Sequence, residues 1–351
     1  SQQTERMKEI EWQRIKAGDV DVVVGPRSAL FSPLADIGLV IVDEEQDESY
    51  YQQESPSYDA RKGAWIRARQ VASVLIYGSA VPSVEALYKA KKRGYLLRLE
   101  SSPEIRDVEI IDDRDEREII SRRLKQRIAE ALNQSRPILI FYNRRGYAFF
   151  LVCSRCNTIP RCVQCDIALA YHKREEKLVC HYCNFTIPKM NNCSECNSRI
   201  IRKRGFGIEV VEEELRRRFP KARVALFDTD VVKKKTDQQR ILLDFRKGKI
   251  DILVGTKLLV HKDDSPSVSL VAIIHPEMTL TLSDFRASQK AFWITNQMKK
   301  FLIKDEQSKL IIQTALPHHY SIRQAALGDY MVFYRQEVRF RRLMNYPPFS
   351  H

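Results

Sequence analysis

The amino-acid sequence predicts an α/β protein with two parallel-sheet lobes and a small cysteine-rich module inserted in the second lobe. Short apolar runs end in polar or glycine-containing sequence, and helical stretches such as EVVEEELRRRF lie between them. All eight cysteines fall in one block that has apolar runs on both sides. Continuous apolar strands that alternate with helices are typical of parallel sheets covered on both faces.

The predicted strands form two groups around the cysteine block. They are residues 20–25, 39–45, 73–80 and 137–143 before it, and 222–228, 250–256, 268–275 and 309–314 after it. In parallel sheets, functional residues gather at the C-terminal ends of the strands. The stretches DEEQ, GSA, NRRGY and GT lie at such ends and are therefore the first places to search for a site.

Length and charge limit the classes of function. A chain of 351 residues is long enough for two or three domains. Its formal net charge of +14 favours a polyanionic partner, of which nucleic acid is the commonest, although a solvated basic surface is the alternative. No apolar run approaches the roughly 18 residues of a membrane span, so no membrane partner is expected.

The cysteines form four C-x2-C pairs, and two such pairs complete one tetrathiolate zinc shell. Four pairs therefore predict two zinc ions. Clustering of this kind favours metal binding in a reducing compartment over disulfides, which are the alternative. His172 and His181 lie in the block but are interpreted as ordinary polar residues, since eight thiolates already fill both shells.

Loop lengths predict which pairs share a metal. Fourteen residues separate the second pair from the third, which is close to the spacing in the usual zinc-ribbon hairpin. The alternation of apolar and polar residues in ALAYHKREEKLVC predicts two short strands with a charged turn. Closed tetrathiolate sites leave no open coordination position, so both zincs should be structural. The inner site is Cys162, Cys165, Cys180 and Cys183, and the outer site is Cys153, Cys156, Cys193 and Cys196.

The strand LVIV ends abruptly in Asp43 and Glu44. Paired carboxylates at the end of a buried strand predict a site for Mg²⁺ and an attacking water, with an acidic strand end facing solvent as the alternative. Such a site needs a phosphate-binding loop, and the sequence contains no G-x-x-x-x-G-K-[ST] stretch.

Aromatic and basic residues near the strand ends are candidates for nucleic-acid contacts. Aromatic faces bind bases without reading sequence, and arginines bind phosphates. The alternatives are ordinary packing under a loop for the tyrosines and a solvated surface for the arginines. The candidates are Tyr50, Tyr51, Tyr58, Arg27, Arg144 and Arg145.

The chain resembles the family of primosomal protein N′, the replication-restart DNA helicases of bacteria, in superfamily two. GPRSALFSPLADIGLVIVDEEQDESYYQQESPSYDARKGA is similar to the segment around that family's D-E-E-H box, and GSAVPSVEAL to its G-S-A-T-P-S box. FYNRRGYA, the cysteine spacing, GFGIEVVEEELRRRFPKARV, ILVGTKLL, SDFRASQKAF and YPPF follow in family order. The resemblance covers essentially the whole chain.

The resemblance implies helicase-type lobes with two zincs in the second, ATP and Mg²⁺ as cofactors, and ATP-dependent 3′-5′ DNA unwinding in the bacterial cytoplasm. It implies that Asp43 helps to hold Mg²⁺, that Glu44 activates the attacking water, and that Ser79 couples the ATP site to the DNA track. The implied partners are DNA forks and single-stranded/duplex junctions, other primosome proteins and a replicative helicase loader.

The resemblance also suggests domain boundaries, with the phosphate loop expected upstream of the chain. Residues 1–105 are assigned to the remainder of helicase lobe 1, 106–152 to a linker and the start of lobe 2, and 153–200 to the two-zinc module. Residues 201–315 are assigned to the rest of lobe 2 and 316–351 to the start of a C-terminal domain.

Several positions depart from the family's pattern. NQMKKFLI (296–303) stands where the family has Q-V-A-G-R-A-G-R with its arginine finger, so that Lys299 and Lys300 keep charge without the planar guanidinium. VHKDDS replaces K-G-H-D-F, Val81 replaces the threonine of GSATPS, and Gln46 replaces the box histidine. An arginine finger is worth roughly a thousandfold or more in rate, so these departures argue against motor activity.

Three hypotheses follow. The first is an ATP-dependent helicase of replication restart. The second is a zinc-bearing DNA-binding and primosome-assembly scaffold that has lost ATPase activity. The stretch NQMKKFLI (296–303), which lacks the family's arginine finger, favours this second hypothesis. The third is an unrelated zinc-ribbon enzyme, against which the ordered set of matching segments argues.

Overall fold

The structure is a computed structural model that divides into two compact units, residues 1–99 with 350–351, and residues 100–349. It describes the chain except residues 1–4, 53, 100–106, 115, 117, 143–148, 157, 159, 164–168, 173–175, 181–184, 206–207, 229–231, 260–265, 281–283 and 351.

The first unit contains a two-stranded parallel sheet, against which one of its helices packs. Its elements are α1 (Glu5–Ala17), β1 (Leu39–Val42), β2 (Tyr51–Gln52), β3 (Tyr58–Asp59), α2 (Ala60–Gln70), β4 (Val74–Tyr77) and α3 (Val84–Arg93). Strands β1 and β4 pair in parallel, and β2 pairs antiparallel with β3. Helix α2 packs against β1 and β4 and buries alanines four residues apart, Ala60, Ala64 and Ala68, because that spacing places them on one helix face.

One predicted strand of this unit is wrong. Residues 20–25 form no strand, and the side chains of Val22 and Val24 are 73% and 92% exposed. An apolar run becomes a strand only where another strand supplies the ladder hydrogen bonds. Among the described residues no strand pairs with this segment.

The second unit contains a six-stranded parallel sheet with helices on both faces. Its strands are β5 (Asp107–Asp112), β6 (Ile138–Tyr142), β12 (Val224–Phe227), β13 (Ile252–Gly255), β14 (Leu270–Ile274) and β15 (Lys309–Thr314), in the order β12-β13-β6-β14-β15-β5. Its helices are α4 (Arg122–Asn133), α5 (Ile208–Arg218), α6 (Lys235–Arg246), α7 (Glu277–Leu280), α8 (Ala287–Lys299), α9 (Tyr320–Leu327) and α10 (Tyr330–Leu343).

The core lies on both faces of this sheet. In β6, Ile138 and Ile140 belong to one buried cluster, whereas Leu139 and Phe141 belong to another. Successive strand residues point to opposite faces, so a strand buried on both faces reads as a continuous apolar run. That is the pattern that predicted β6 and β12–β15, and the structure confirms all five strands as well as β1 and β4.

Strand β5 was not predicted. Its sequence DVEIID mixes acidic and apolar residues, and it lies at the edge of the sheet, paired with β15 alone. An edge strand needs less apolar surface than a central one, which explains why its sequence lacks the continuous apolar run.

The cysteine block folds as an antiparallel five-stranded sheet that is inserted between β6 and α5 of the second unit. Its strands are β7 (Phe149–Cys153), β8 (Ala170–His172), β9 (Lys177–Val179), β10 (Thr186–Pro188) and β11 (Ile201–Gly205), in the order β10-β9-β8-β7-β11. Strands β8 and β9 pair antiparallel, which confirms the two short strands predicted from ALAYHKREEKLVC. The structure therefore confirms an α/β fold with a cysteine-rich insertion in its second lobe.

Within the described part of the chain, no helix has both the length and the apolar character that crossing a membrane requires.

Candidate metal centre and strand-end site

Four cysteines from the two ends of the cysteine module converge on one point. Ligand atoms of Cys153, Cys156, Cys193 and Cys196 all lie within 4.8 Å of one another. The sulfur of Cys153 is 3.5 Å from that of Cys196, and the sulfur of Cys156 is 3.5 Å from that of Cys193. A disulfide requires about 2.05 Å between sulfurs, so these are free cysteines.

The two C-x2-C turns have the same local geometry. The backbone N–H of Arg155 donates to the sulfur of Cys153 at 3.4 Å, and that of Glu195 donates to the sulfur of Cys193 at 3.4 Å. Each turn thus aims one amide at its first cysteine, an arrangement that stabilises a thiolate. Four cysteine sulfurs within 4.8 Å of one another are the donor set of a closed structural zinc site, in which each Zn–S distance is about 2.3 Å, and the residues present fit that ion.

The thiols of Cys153 and Cys196 differ in pKa. Backbone amides of Cys156 and then Arg155 lower the pKa of Cys153 to about 6 against the effect of burial. The Ser198 amide lowers the pKa of Cys196, but burial and the three neighbouring sulfurs outweigh it and raise that pKa to about 12. Four negative sulfurs at this spacing repel one another, and a divalent cation removes the repulsion.

The inner cysteine group is described only in part. Cys162 and Cys180 are buried, 3% and 0% exposed, in a cluster with Leu151, Leu169 and Tyr171. Cys165 and Cys183 lie outside the described residues. The structure therefore brings the four outer cysteines together and places Cys162 and Cys180 of the inner group in the buried interior of the module.

The acid-ended strand β1 leads directly into a tight turn. Asp43 is exposed, and Glu44 is partly buried with a positive φ of 46°, a conformation that non-glycine residues adopt rarely. The hydroxyl of Tyr50 donates to the backbone oxygen of Asp43 at 2.6 Å. The turn thus projects Asp43 and Glu44 at the C-terminal end of β1, beside the corresponding end of β4.

Glu45 points inward rather than toward that edge. It is 3% exposed and accepts hydrogen bonds from the backbone N–H and the hydroxyl of Ser83, the N-cap of α3. Burial raises the pKa of Glu45, and the two Ser83 hydrogen bonds and Arg61 offset this effect only in part. Glu45 therefore ties the acid turn to the start of α3.

A chain of hydrogen bonds links the ends of β1 and β4. The hydroxyl of Ser79 donates to the amide oxygen of Gln46, and the amide nitrogen of Gln46 donates to the carboxylate of Glu44 at 2.5 Å. Gln46 is only 9% exposed, so its amide is held between the two partners. The DEEQ and GSA stretches are therefore in direct contact through Gln46.

The three candidate tyrosines differ in their surroundings. The hydroxyl of Tyr50 is held by the acid turn, and burial, followed by the charge of Asp43, raises its pKa. Tyr58 packs edge-on against Phe31, with ring centroids 5.2 Å apart. Tyr51 is 47% exposed, whereas Tyr50 and Tyr58 are partly buried, so Tyr51 has the most exposed ring of the three.

Of the candidate arginines, Arg27 lies in the described part of the chain. Its guanidinium donates to the backbone oxygen of Ser49 at 2.8 Å and so connects the segment before β1 to the loop after it. Arg144 and Arg145 lie outside the described residues.

Lys299 lies at the end of α8, in the stretch that departs from the arginine motif. Its ammonium donates to the carbonyl oxygens of Ala325 and Ala326, in the last turn of α9. The last four carbonyls of a helix have no partner within the helix, and a cation there also interacts favourably with the helix dipole.

A second group of ligand-bearing side chains was not found by sequence reasoning. Ligand atoms of Asp113, His275 and Glu277 lie within 4.8 Å of one another at the C-terminal ends of β5 and β14. HPE after the strand SLVAII was a weak signal for two of them, but nothing in the sequence links them to Asp113.

Comparison with known proteins places these features in context. Residues 162–188 match the family model of the PriA DNA helicase Cys-rich region (CRR) domain. The chain is 37% identical to the replication restart protein PriA of Bacillus subtilis over 97% of its own length and 44% of that protein. It is 33% identical to the PriA protein of Borreliella burgdorferi over 98% of its length and 52% of that protein.

The chain therefore spans about half the length of the curated relatives it matches. Among solved structures, it aligns with S. cerevisiae Dbp5 L327V bound to RNA and ADP BeF3, at 12% identity and a TM-score of 0.41, over 94% of this chain and 66% of that one.

Proposed function

The chain belongs to the PriA family of replication restart proteins, and from that premise we propose that it is a DNA-binding primosome protein of replication restart. In this proposal it recognises stalled forks and helps to reload the replication machinery, with ATP-dependent 3′-5′ DNA unwinding as the activity of the complete protein. Its partners would be forked DNA, other primosome proteins and a replicative helicase loader.

The observation that carries the motor part of the proposal is the contact from Ser79 through Gln46 to Glu44. We assign Asp43 to Mg²⁺ and Glu44 to the water that attacks the γ-phosphate, since phosphoryl transfer needs charge neutralisation and a positioned nucleophile. A hydrogen-bonded link from Glu44 to Ser79 supports a coupling role for Ser79, because movement at one end displaces the other.

DNA binding is supported by the charge of the chain and by its exposed loop. A formal net charge of +14 favours a polyanion, and Tyr51 offers an aromatic face for base stacking. We assign Tyr50 and Tyr58 supporting roles in the same loop, and phosphate contacts to Arg27, Arg144 and Arg145. Affinity that comes mainly from phosphate contacts falls steeply with salt.

The zinc part of the proposal is two structural ions. The outer four cysteines supply one closed shell, and their mutual geometry supports it. The inner shell rests on the spacing of Cys162, Cys165, Cys180 and Cys183 and on the similarity of residues 162–188 to the Cys-rich region of PriA. When bound, each zinc would hold two C-x2-C turns together and stabilise the module.

A second candidate function is a zinc-bearing DNA-binding and assembly scaffold without ATPase activity. The contact between Lys299 and the end of α9 favours it, because an ammonium that caps a helix is not available to stabilise a transition-state phosphoryl group. The domain division at residues 105, 152, 200 and 315, and a cytoplasmic location, stay predictions under both candidate functions.

The test is DNA-stimulated ATP hydrolysis by the complete reading frame, with E44Q beside the wild-type protein. Activity on forked DNA that E44Q abolishes supports the motor. Equal inactivity of both proteins, with zinc and DNA still bound, supports the scaffold. Both candidate functions include DNA binding, which is tested by measuring affinity for DNA between 50 and 200 mM salt. If the protein contacts six or more phosphates, its affinity is expected to fall roughly a thousandfold over that range.

A further inference from the structure

The carboxyl edge of the six-stranded sheet carries a cluster that the proposed function does not use. Asp113 follows β5, His275 follows β14, and Glu277 begins α7. Strands β14, β15 and β5 are neighbours in the sheet, so their ends meet at one edge. The Nε2 atom of His275 lies 2.7 Å from Oδ2 of Asp113, and ligand atoms of all three side chains lie within 4.8 Å of one another.

Asp113 is held in place by the end of β15. The side-chain amide of Gln313 donates to Oδ2 of Asp113 at 3.0 Å. Gln313 is itself fixed, since it also donates to the backbone oxygen of Ile119 at 2.9 Å and accepts from the backbone N–H of Ser121 at 2.9 Å. The Asp113 carboxylate therefore has one orientation, with its Oδ2 atom directed at His275.

Glu277 is held by the residues that follow β15. The hydroxyl of Thr314 donates to Oε2 of Glu277 at 2.5 Å, and the backbone N–H of Ala315 donates to Oε1 at 3.2 Å. Outer hydrogen bonds of this kind orient metal-binding carboxylates, and they are as much part of a metal site as the ligands themselves.

His275 is the basic side chain that pairs with Asp113 in the cluster. No lysine or arginine of the described residues forms an ion pair with Asp113 or Glu277. Asp113 is 8% exposed, whereas His275 and Glu277 are partly exposed, so an ion can reach the cluster from solvent. Two carboxylates this close, one of them buried, repel each other unless a cation or a proton lies between them.

We propose that Asp113, His275 and Glu277 form a binding site for a divalent metal ion of the Mn²⁺ type. One imidazole and two carboxylates supply nitrogen and oxygen ligands, which suit first-row divalent ions that accept water in their remaining positions. The site differs from the tetrathiolate cluster, whose sulfur ligands select zinc. Its three residues belong to the second unit, whereas Asp43 and Glu44 belong to the first, and it does not depend on ATP hydrolysis.

The test measures Mn²⁺ binding by the zinc-loaded protein without nucleotide. Binding is monitored through the loss of the electron paramagnetic resonance signal of free Mn²⁺. The wild-type protein is expected to bind one Mn²⁺ that E277Q weakens at least about tenfold, the effect seen when even an outer partner of a metal ligand is lost. Glutamine keeps an oxygen for the Ala315 N–H, so the local fold is retained. D113N is the second variant and is expected to weaken binding in the same way.

D112N is the matched control, because Asp112 precedes Asp113 in the chain but pairs with Arg114 on the surface. It is expected to bind Mn²⁺ as the wild type does. E44Q, measured in parallel, separates this site from the acid turn of the first unit. Binding that depends on Glu44 and not on Glu277, or that is equal in E277Q, D113N and D112N, overturns the proposal and leaves the cluster a hydrogen-bonded pair at the sheet edge.

Discussion

The ammonium of Lys299 donates to the carbonyl oxygen of Ala325 at 2.5 Å and so joins the end of α8 to the end of α9. Gly328, with a φ of 71°, follows α9 as its left-handed cap and donates its N–H to the carbonyl oxygen of Ala325. Lys299 adds a second hydrogen bond to that oxygen and one to the carbonyl oxygen of Ala326. A residue in the position of the expected arginine motif thus contributes to helix packing.

We expect K299M to lower the free energy of unfolding by about 1.5 kcal/mol, since it removes charge-assisted hydrogen bonds to helix carbonyls. Urea denaturation measures this. K247M is the control, because Lys247 is exposed at the end of α6, and a change within about 0.5 kcal/mol is expected there. Unchanged stability together with reduced DNA-stimulated ATP hydrolysis would instead identify Lys299 as a phosphate contact.

Gln46 is the single link between Glu44 and Ser79 in the hydrogen-bond chain described above. If the complete protein is a motor, Q46A is expected to reduce DNA-stimulated ATP hydrolysis at least about tenfold, because a misplaced catalytic group costs rate steeply. Q70A, at the exposed end of α2, serves as the control and is expected to keep the wild-type rate. A normal rate in Q46A rules out coupling through this amide.

Zinc content tests the two-shell assignment. The wild-type protein is expected to hold two zincs per chain, and C193S and C162S are each expected to hold one, since a tetrathiolate shell that loses a ligand binds far more weakly. Atomic absorption on dialysed protein gives the number. Two zincs in C162S would contradict the inner site. Lower pH is expected to release zinc, because the thiolates must be deprotonated to bind it.

Glu45 makes stability depend on pH with a defined sign. Its pKa is raised in the folded protein, so the folded state holds the proton more tightly than the unfolded state does. Stability from this group is complete below the unfolded pKa of 4.5 and is lost as pH rises through the folded value. E45Q lacks this loss and keeps both Ser83 contacts. Its advantage in melting temperature is therefore expected to grow between pH 4 and pH 8, and a constant difference would contradict the assignment.

A buried ion pair joins the last three helices of the second unit. Arg341 and Glu337 of α10 are fully buried, with Nε of Arg341 2.7 Å from Oε1 of Glu337. Tyr320 of α9 donates to Glu337, and Arg341 donates to Gln289 of α8. R341M leaves Glu337 buried without its cation and is expected to cost about 3–5 kcal/mol in urea denaturation.

R342M is the control for that variant. Arg342 is exposed and lies over the ring of Phe349, with 4.9 Å between its guanidinium carbon and the ring centroid. Its replacement is expected to cost less than about 1 kcal/mol, because exposed cation–π contacts are weak. Equal costs for the two variants would show that the buried pair contributes no more than the surface contact.

The sequence by itself determined the α/β class, seven strands of the two parallel sheets, the two short strands β8 and β9, and the cysteine-rich insertion. Apolar runs such as ILIFY, and the paired cysteines, are local signals, and their physical causes act within a few residues of the chain. Strand β5 and the segment at 20–25 show the limit, since the first is a strand only because β15 pairs with it, and the second has no described partner.

Only the tertiary structure decided which distant side chains meet. Asp113 and His275 are 162 residues apart in sequence, yet they share a hydrogen bond because β14 and β5 flank β15 in one parallel sheet. The contact of Lys299 with α9, and that of Ser79 with Gln46, arise in the same way. Such contacts depend on strand order and helix packing, which are non-local, and so no spacing or composition in the sequence could reveal them.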